Sequence, residues 1–143
     1  MNRRSRIGIL GEDLGQKYLL DKGYVIIERN FRKPWGELDI IAKDGNGILV
    51  FVEVKTLYNN VSRETYSNLT PEDNLTRSKL FKLQKTALLY VGHNQDLIND
   101  KGFRIDLLAI TISGVSRETI MDENVNLTDI IKYCDIKHYE NIF

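Results

Sequence analysis

Apolar residues recur at helical spacing near the start of the chain, over residues 5–22. The positions that form this stripe are Ile7, Leu10, Leu14 and Tyr18. Ser5 is a candidate N-cap and Gly23 a candidate stop, so the pattern predicts an amphipathic helix between them. Three glycines lie beside the stripe, at Gly8, Gly11 and Gly15. A glycine inside a helix costs about 1 kcal/mol relative to alanine, so their presence predicts that the sheet approaches this helix closely.

Four further segments are short, apolar and bounded by turn residues, as is typical of buried strands. They are residues 24–30, 37–43, 48–56 and 103–111. A turn at residues 32–35 separates the first two, and Asp-Gly-Asn-Gly at residues 44–47 is a strong hairpin signal between the second and the third. The pattern therefore predicts a sheet that contains at least one hairpin.

A second helix is predicted from about Thr76 to Val91, with its apolar positions turned inward and its lysines outward or oblique. The inward positions are Leu80, Leu83, Ala87 and Val91. Residues 57–75 are polar and rich in asparagine, which predicts a loop, and residues 125–133 are compatible with a short helix. Strands preceded and followed by helices indicate an α/β or α+β sheet that is layered by helices.

Length and composition fit one soluble globular domain of 143 residues with a real core. We expect a single domain over residues 1–143, with its core at about 5–111 and a less clearly patterned C-terminal extension at 112–143. No apolar run is long enough to cross a membrane, and the N-terminal residues do not resemble a signal peptide. The single cysteine, Cys134, fits a reducing compartment, so we expect a cytoplasmic protein.

The net charge is zero, but the charges are unevenly distributed. Residues 1–91 carry 15 basic and 11 acidic side chains, whereas residues 92–143 carry 5 basic and 9 acidic ones. The basic residues form three clusters, at Arg3-Arg4-Arg6, at Arg29-Arg32-Lys33 and at Arg77-Lys79-Lys82-Lys85. A polyanion such as nucleic acid could bind such a face, although a solvated surface is the plainer interpretation of any one cluster.

Charged residues interrupt the most apolar part of the chain, the predicted hairpin over residues 36–55. Glu53 and Lys55 share one face of their strand because side chains alternate. Asp39 reaches that face only if the hairpin pairs position 39 with position 53. A loop of three residues at Gly45-Asn46-Gly47 gives this register, and so does a bulge at Gly47. We therefore predict an odd-length loop or a bulge.

Two neighbouring carboxylates repel each other when both are ionised, and a divalent cation would resolve this conflict. Oxygen ligands without histidine or cysteine nearby favour Mg²⁺ or Mn²⁺ over zinc. Lys55 could position an attacking water and balance the charge that grows on a phosphoryl oxygen. These residue types suit metal-assisted phosphodiester hydrolysis. The structural alternative is that Glu53 and Lys55 form an edge ion pair while Asp39 caps a turn.

Other residues have both a functional and a structural interpretation. Glu37, on the predicted face of Asp39, could support the site as a second acid or simply face solvent. Trp35 could stack on a base or cover the end of the hairpin, and Lys79 could contact phosphate or lie on the surface. We expect Asp106 to be a structural partner for Arg104 or for a backbone group. His93, His138 and Cys134 are assigned no role.

An ordered set of motifs covers most of the chain. It comprises GxxGE at 8–12, ERNFR at 28–32, GELDIIAKDG at 36–45, LVFVEVK at 49–55, PEDNLTRSK at 71–79 and FRIDLLAI at 103–110. Through these motifs the sequence resembles the YraN-like family of small bacterial proteins. That family belongs to the restriction-endonuclease-like PD-(D/E)XK superfamily and is similar to archaeal Holliday-junction resolvases. The resemblance implies an α/β fold, a central mixed sheet flanked by helices.

The resemblance also implies an active site formed by Asp39, Glu53 and Lys55. Glu12 would be a further acid that reaches the metal directly or through water, and the main-chain carbonyl of Val54 would be a third ligand. It implies Mg²⁺-dependent hydrolysis of DNA, on branched substrates if the likeness to resolvases extends that far, and a homodimer. The chain departs from the family at Leu57, where an arginine is usual, and in the longer polar stretch that follows.

Two functional hypotheses follow. The first is a Mg²⁺-dependent DNA endonuclease in which Lys79, Lys82, Trp35 and Arg32 contact the nucleic acid. The alternative is a nucleic-acid-binding module without catalysis, which would use the basic helix Arg77–Lys85 and would leave the acids at positions 39 and 53 unexplained.

Overall fold

A computed structural model describes residues 5–59 and 71–143 and shows one five-stranded sheet with helices on both faces. Its elements are α1 (Arg6–Asp21), β1 (Val25–Lys33), β2 (Gly36–Lys43), β3 (Leu49–Asn59), α2 (Arg77–His93), β4 (Phe103–Ser113), α3 (Arg117–Met121), α4 (Leu127–Ile130) and β5 (Cys134–Tyr139). The predicted helices and strands are all present, and their bounds differ from the predicted ones by up to three residues.

The strands follow one another across the sheet in the order β1-β2-β3-β4-β5. Neighbouring strands are antiparallel, except that β3 and β4 are parallel. Parallel neighbours need a crossover connection, and α2 lies in the segment that supplies it. The α/β class and the mixed sheet flanked by helices are therefore confirmed.

Helix α1 begins and ends where the sequence predicts. The Ser5 side chain accepts a hydrogen bond from the Gly8 amide at 3.0 Å, and Gly23 follows the helix at φ +89°. The predicted close approach is also confirmed, because a Cβ atom on Gly11 would lie 1.8 Å from Thr56 Oγ1 on β3. Only a residue without a side chain allows α1 to pack this closely on the sheet.

The sheet separates two apolar cores. On one face, Val50, Val52 and Val54 of β3 pack with Leu10 and Leu14 of α1. On the other face, β3 contributes Leu49 and Phe51, which pack with residues of α2. In α2 the buried residues are Leu83, Thr86, Ala87 and Tyr90. The predicted inward positions Leu80 and Val91 are half-buried instead. Glu53 and Lys55 follow Phe51 on the α2 face, which decides where the candidate site lies.

The C-terminal segment contains elements that the sequence pattern did not predict. Strand β5 completes the sheet beside β4, and α3 packs its buried Ile120 into the core on the α1 side. The helix predicted at 125–133 is shorter, with α4 followed by a 3₁₀ turn, Ile131–Tyr133. Of the predicted loop at 57–75, residues 60–70 lie outside the described residues, as do Arg3 and Arg4. No described helix has both the length and the apolarity to cross a membrane.

Candidate active site between α2 and the sheet

The hairpin between β2 and β3 has the three-residue loop that the sequence predicts. Asp44 donates its amide to the Ile48 carbonyl at 3.0 Å, and Gly47, at φ +77°, donates to the Asp44 carbonyl at 3.0 Å. The pairs above the loop run from Lys43 and Leu49 to Ile40 and Val52. The same register places position 39 opposite position 53. The prediction that the turn brings Asp39 to the face of Glu53 is confirmed.

Beyond the pair of Ile40 and Val52 the two strands separate. The next backbone hydrogen bond between them is replaced by a bond to a side chain. Asp39 Oδ2 accepts a hydrogen bond from the Val54 amide at 2.9 Å. The amide and the carbonyl of one strand residue point to the same side. The Val54 carbonyl is therefore directed towards the same gap as the Asp39 carboxylate.

Glu37 and Asp39 lie on the same side of β2, as predicted, but the regular alternation of side chains is interrupted between them. Leu38, and not Glu37, packs with Ile41 in the core on the α2 side. The cause lies on the neighbouring strand, where Asn30 has φ +56° and lies opposite Asp39 between two regular pairs. A left-handed residue interrupts the pleat, so both strands change orientation at this level.

Asp39, Glu53 and Lys55 line one cavity of about 530 Å³ between α2 and the sheet. Its other lining residues are Lys33, Pro34, Gly36, Glu37, Leu75, Lys79, Lys82, Leu83 and Thr86. The structure thus brings together the three residues that sequence analysis selected for catalysis. It also joins to them the two α2 lysines that were selected for nucleic acid.

Glu53 has an unusual protonation state in this cavity. Burial, together with the neighbouring charge of Asp39, raises the pKa of Glu53 to about 8, although Lys55 opposes the shift. Lys55 Nζ lies 3.3 Å from Glu53 Oε1. Near neutral pH the Glu53 carboxyl group therefore retains its proton, as expected for a buried acid beside a second carboxylate.

The opposite wall of the cavity is basic. Lys79 and Lys82 come from the exposed side of α2, and Lys33 comes from the end of β1. Helix α2 is held close to the turn between β1 and β2, because a Cβ atom on Gly36 would lie 2.0 Å from Thr86 Oγ1. Sequence analysis did not assign Lys33 or Thr86 to the site. Lys33 was visible as part of a basic cluster, whereas nothing in the sequence marked Thr86.

The other predicted site residues lie around this cavity. Glu12 is buried on the α1 side, with Oε2 4.0 Å from Arg29 Nη2. Arg29 pairs with Ile40, the residue after Asp39, so Glu12 lies behind the carboxylate pair and does not line the cavity. Arg32 is exposed, with Nη1 3.9 Å from Glu37 Oε1. Trp35 is 43% exposed and lines a neighbouring cavity.

A second group of metal-ligand types lies on the other face of the sheet, the α1 side, where Asp106 pairs with Val52 of β3. Ligand atoms of Asp106, His138 and Glu140 lie within 4.8 Å of one another. However, Asp106 already accepts hydrogen bonds from Arg104 Nε at 3.1 Å, His138 Nε2 at 2.8 Å and the Asn141 amide at 2.9 Å. The guanidinium of Arg104 supplies the positive charge there. The geometry agrees with the expected structural role of Asp106.

Our decision to assign no role to His138 was wrong, since its ring is part of this buried network. Its Nδ1 lies 3.2 Å from the Tyr18 hydroxyl of α1, while its Nε2 contacts Asp106. Sequence analysis missed it because no recognisable spacing links a histidine on β5 to residues on β4 and α1. The alternation of Cys134 and Ile136 with polar residues was a short signal for the strand itself, and it ends at His138.

The cavity at Asp39 and Glu53 fits a divalent metal better than the second cluster does. It offers two carboxylates and a carbonyl directed to one gap, and burial together with the neighbouring Asp39 charge raises the pKa of Glu53 there. Hard oxygen donors of this kind suit Mg²⁺ or Mn²⁺.

The sheet order, the helices on both faces and the acids at the separated ends of two strands define an α/β protein of restriction-endonuclease-like architecture. The model of an uncharacterised protein family, UPF0102, matches residues 11–110. The chain therefore belongs to the UPF0102 family, the YraN-like proteins.

Relatives in several bacteria extend this match over most of the chain. A UPF0102 protein of Trichlorobacter lovleyi is 37% identical over 114 residues, which is 80% of this chain and 84% of the relative. One from Clostridium botulinum is 40% identical over 107 residues, or 75% of this chain and 80% of the relative. Another from Thermodesulfovibrio yellowstonii is 42% identical over 107 residues and covers 75% and 87% of the two chains.

Proposed function

We propose that this protein is a metal-dependent endonuclease that hydrolyses phosphodiester bonds of DNA, preferentially in branched or otherwise non-duplex substrates. The observation that carries the proposal is the convergence of Asp39, Glu53 and Lys55 in one cavity beside Lys79 and Lys82. Carboxylates hold the metal that such a reaction needs, and lysines on the facing wall attract the phosphates of the substrate.

Asp39, Glu53 and the carbonyl of Val54 would hold Mg²⁺ or Mn²⁺, and Glu12 would support them from the α1 side through water. When bound, such an ion polarises a phosphoryl oxygen and makes a bound water more acidic. The hydrogen bond from the Val54 amide fixes the orientation of the Asp39 carboxylate in the cavity. Mg²⁺ usually keeps several waters, which leaves room for a substrate phosphate.

Lys55 lies at the border between the carboxylates and the open part of the cavity. Its ammonium group lies 3.3 Å from Glu53 Oε1. In the reaction it would orient the attacking water and stabilise the negative charge that develops on the phosphoryl oxygens. Lys79 and Lys82 would hold flanking phosphates, and Arg32 and Glu37 would border the entrance.

The test combines cleavage and metal binding. Labelled branched, duplex and single-stranded DNA is incubated with Mg²⁺ or Mn²⁺ and with wild type, Asp39→Asn, Glu53→Gln or Lys55→Ala. We expect each substitution to reduce cleavage at least about 100-fold, the lower range for loss of a catalytic proton-transfer group. Asp135→Asn, an exposed acid on β5, is the matched control and retains activity.

Metal binding is measured separately, as the rise in thermal midpoint that Mg²⁺ or Mn²⁺ produces. We expect the rise in wild type and its loss in Asp39→Asn. Cleavage that survives all three substitutions would exclude the proposed site. Salt-sensitive DNA binding that Lys79→Ala and Lys82→Ala weaken, without turnover in any metal, would instead favour the non-catalytic binding module on α2.

A further inference from the structure

A second cavity, of about 330 Å³, lies beside the candidate active site. It is lined by Phe31, Lys33, Trp35, Leu89, Tyr90 and His93, together with Asn94. Its volume is at the lower end of the range for small-molecule pockets, about 300–1,000 Å³, so it suits one planar group rather than an extended ligand. We infer that it binds one unpaired base of the DNA strand whose neighbouring phosphate lies in the active-site cavity. This inference rests on the proposed function and names the substrate feature that the site selects.

The cavity has a rigid aromatic floor and an open aromatic edge. The rings of Phe31 and Tyr90 pack edge to face at 5.1 Å, and Tyr90 is further fixed by Phe51 at 5.6 Å. Trp35 and Leu89, in contrast, are 43% and 37% exposed. A base could therefore enter from solvent and stack on Trp35, while the buried rings keep the shape of the cavity. Stacking on aromatic rings tolerates any base, because every base has a π face.

The two cavities adjoin along the turn between β1 and β2. Pro34 and Gly36 line the active-site cavity, the intervening Trp35 lines the second one, and Lys33 lines both. A base on Trp35 would thus lie next to a phosphate on Lys33, and that phosphate would lie next to the carboxylates. This order corresponds to consecutive parts of one nucleotide strand.

The positions along helix α2 place the two cavities in the same order. Thr86 lines the active-site cavity and Tyr90 lines the second one. Residues four apart on a helix are separated by about 6 Å along its axis, so the two sites follow each other within roughly one helical turn. The basic positions Lys79 and Lys82 lie before Thr86, which extends the positive surface in the direction of the flanking phosphates.

Charge also favours a nucleotide. Lys33 brings a positive charge to the place where the two cavities meet. Its Nζ lies 5.4 Å from the centre of the Phe31 ring. Among the described residues that line the second cavity, none is acidic. An anionic strand with an aromatic base matches this combination of one cation with several aromatic rings.

The occupant must be an unpaired base, because a base inside a duplex is stacked on both faces and paired at its edge. Single-stranded tails and unpaired positions at a branch offer such bases at little cost. The cavity therefore predicts a preference for DNA with a single-stranded segment next to the cleaved bond.

Trp35 is the single tryptophan of the chain, so its fluorescence reports on this cavity directly. The experiment uses the full chain in metal-free buffer, where hydrolysis does not interfere. Tryptophan fluorescence and the anisotropy of labelled DNA are measured with a short single strand, the same strand with abasic sites, and the blunt duplex. We expect the intact single strand to quench Trp35, and the abasic strand and the duplex to bind without quenching.

Trp35→Ala should weaken single-strand binding by about 5- to 150-fold, the range for loss of one stacked base, and should leave duplex binding unchanged. Trp35→Phe should restore most of the affinity. Leu89→Glu, which places an acid at the mouth of the cavity, should weaken single-strand binding as well. Phe81→Ala is the matched control, since Phe81 is an aromatic residue of α2 that is 69% exposed and outside the cavity.

The inference is overturned if a saturating single strand leaves Trp35 fluorescence unchanged, or if Trp35→Ala binds it like wild type. A change in Trp35 fluorescence with protein concentration alone would also overturn it, because a second copy of the chain would then cover the cavity. Failure of the proposed function is distinguishable. Base-dependent quenching without cleavage in any metal would keep the base site and remove the nuclease, whereas cleavage independent of Trp35 would keep the nuclease and remove the base site.

Discussion

The fold buries Glu53 although burying its charged form destabilises the folded state. Apolar neighbours and the Asp39 carboxylate disfavour its charged form, so its pKa rises to about 8. An unfolded chain would release this proton near the ordinary value of 4.5. Between these two pH values the folded state holds a proton that the unfolded state has lost, and its stability falls as pH rises.

We therefore expect Glu53→Gln to be more stable than wild type in metal-free buffer at pH 8. One pK unit corresponds to about 1.4 kcal/mol, and the gain should exceed this amount, because glutamine has no charge to bury. At pH 4 the two proteins should differ little. Urea denaturation at both pH values measures the difference. An equal difference at pH 4 and pH 8 would show that burial and Asp39 do not perturb Glu53.

Asn30 is the residue that shapes the strands at Asp39, and it does so through its backbone. It is exposed, has φ +56° and lies opposite Asp39 in the register. Asn30→Gly should fold with unchanged or higher stability, since glycine adopts this conformation freely. Asn30→Val should lose about 1–2 kcal/mol in chemical denaturation, because a β-branched residue tolerates the left-handed conformation far less than asparagine does. Equal stabilities would mean that the strands do not require this conformation.

At the scale of elements, α1 packs closely on β3 because Gly11 of α1 has no side chain. Gly11 contacts Thr56 so closely that no larger residue fits without a shift of the helix. In contrast, a Cβ atom on Gly92 of α2 would meet nothing within 4 Å. Replacing glycine with alanine should therefore change the stability in opposite directions at these two positions.

Gly11→Ala should destabilise the protein by about 1–3 kcal/mol, the usual cost of overpacking a close contact. Gly92→Ala is the matched control and should be neutral or stabilise by up to about 1 kcal/mol, because alanine favours the helix. Thermal denaturation of both variants tests the contrast. If Gly11→Ala were as stable as Gly92→Ala, α1 would have room to move away from β3.

The elements also show what sequence patterns can and cannot predict. Gly47 and its neighbours determine a local turn, so the register of the β2–β3 hairpin could be predicted from a few adjacent residues. The cap at Ser5 and the glycine strip of α1 are local signals of the same kind. Strand β5 depends instead on pairing with β4, and its inward His138 interrupts the apolar alternation that would mark a strand. The irregularity at Asn30 could not be predicted, because asparagine is enriched in the left-handed conformation but adopts the other allowed regions as well.

For the whole molecule, the candidate site and the Asp106 network lie on opposite faces of the sheet. On the α2 face, the neighbouring carboxylates of Asp39 and Glu53 repel each other. On the α1 face, Arg104 bridges Asp106 and Asp44, with Nη1 2.6 Å from Asp44 Oδ2, and thereby ties the β2–β3 hairpin to β4. The hydrogen bonds and ion pairs of Asp106 balance its buried charge, whereas the repulsion between the Asp39 and Glu53 carboxylates is one that a bound divalent cation would relieve.

The network around Asp106 predicts how the stability of the folded state changes at low pH. Burial alone would raise the pKa of Asp106, but hydrogen bonds from His138, the Asn141 amide and Arg104 lower it below its ordinary value of 3.8. A lowered pKa stabilises the folded state above the unfolded value, and this contribution disappears as pH falls through the folded pKa. Wild type should therefore lose stability below about pH 4, and Asp106→Asn should show a flatter dependence there.

At pH 7, Asp106→Asn should lose about 3–5 kcal/mol in urea denaturation, because Arg104 and His138 lose a buried partner. Glu140→Gln, in which the substituted side chain is 63% exposed, should lose no more than about 1 kcal/mol. Both variants should keep the rise in thermal midpoint with Mg²⁺, which Asp39→Asn should abolish. If that rise were lost in Glu140→Gln and kept in Asp39→Asn, the cluster at Asp106, His138 and Glu140 would be the metal centre.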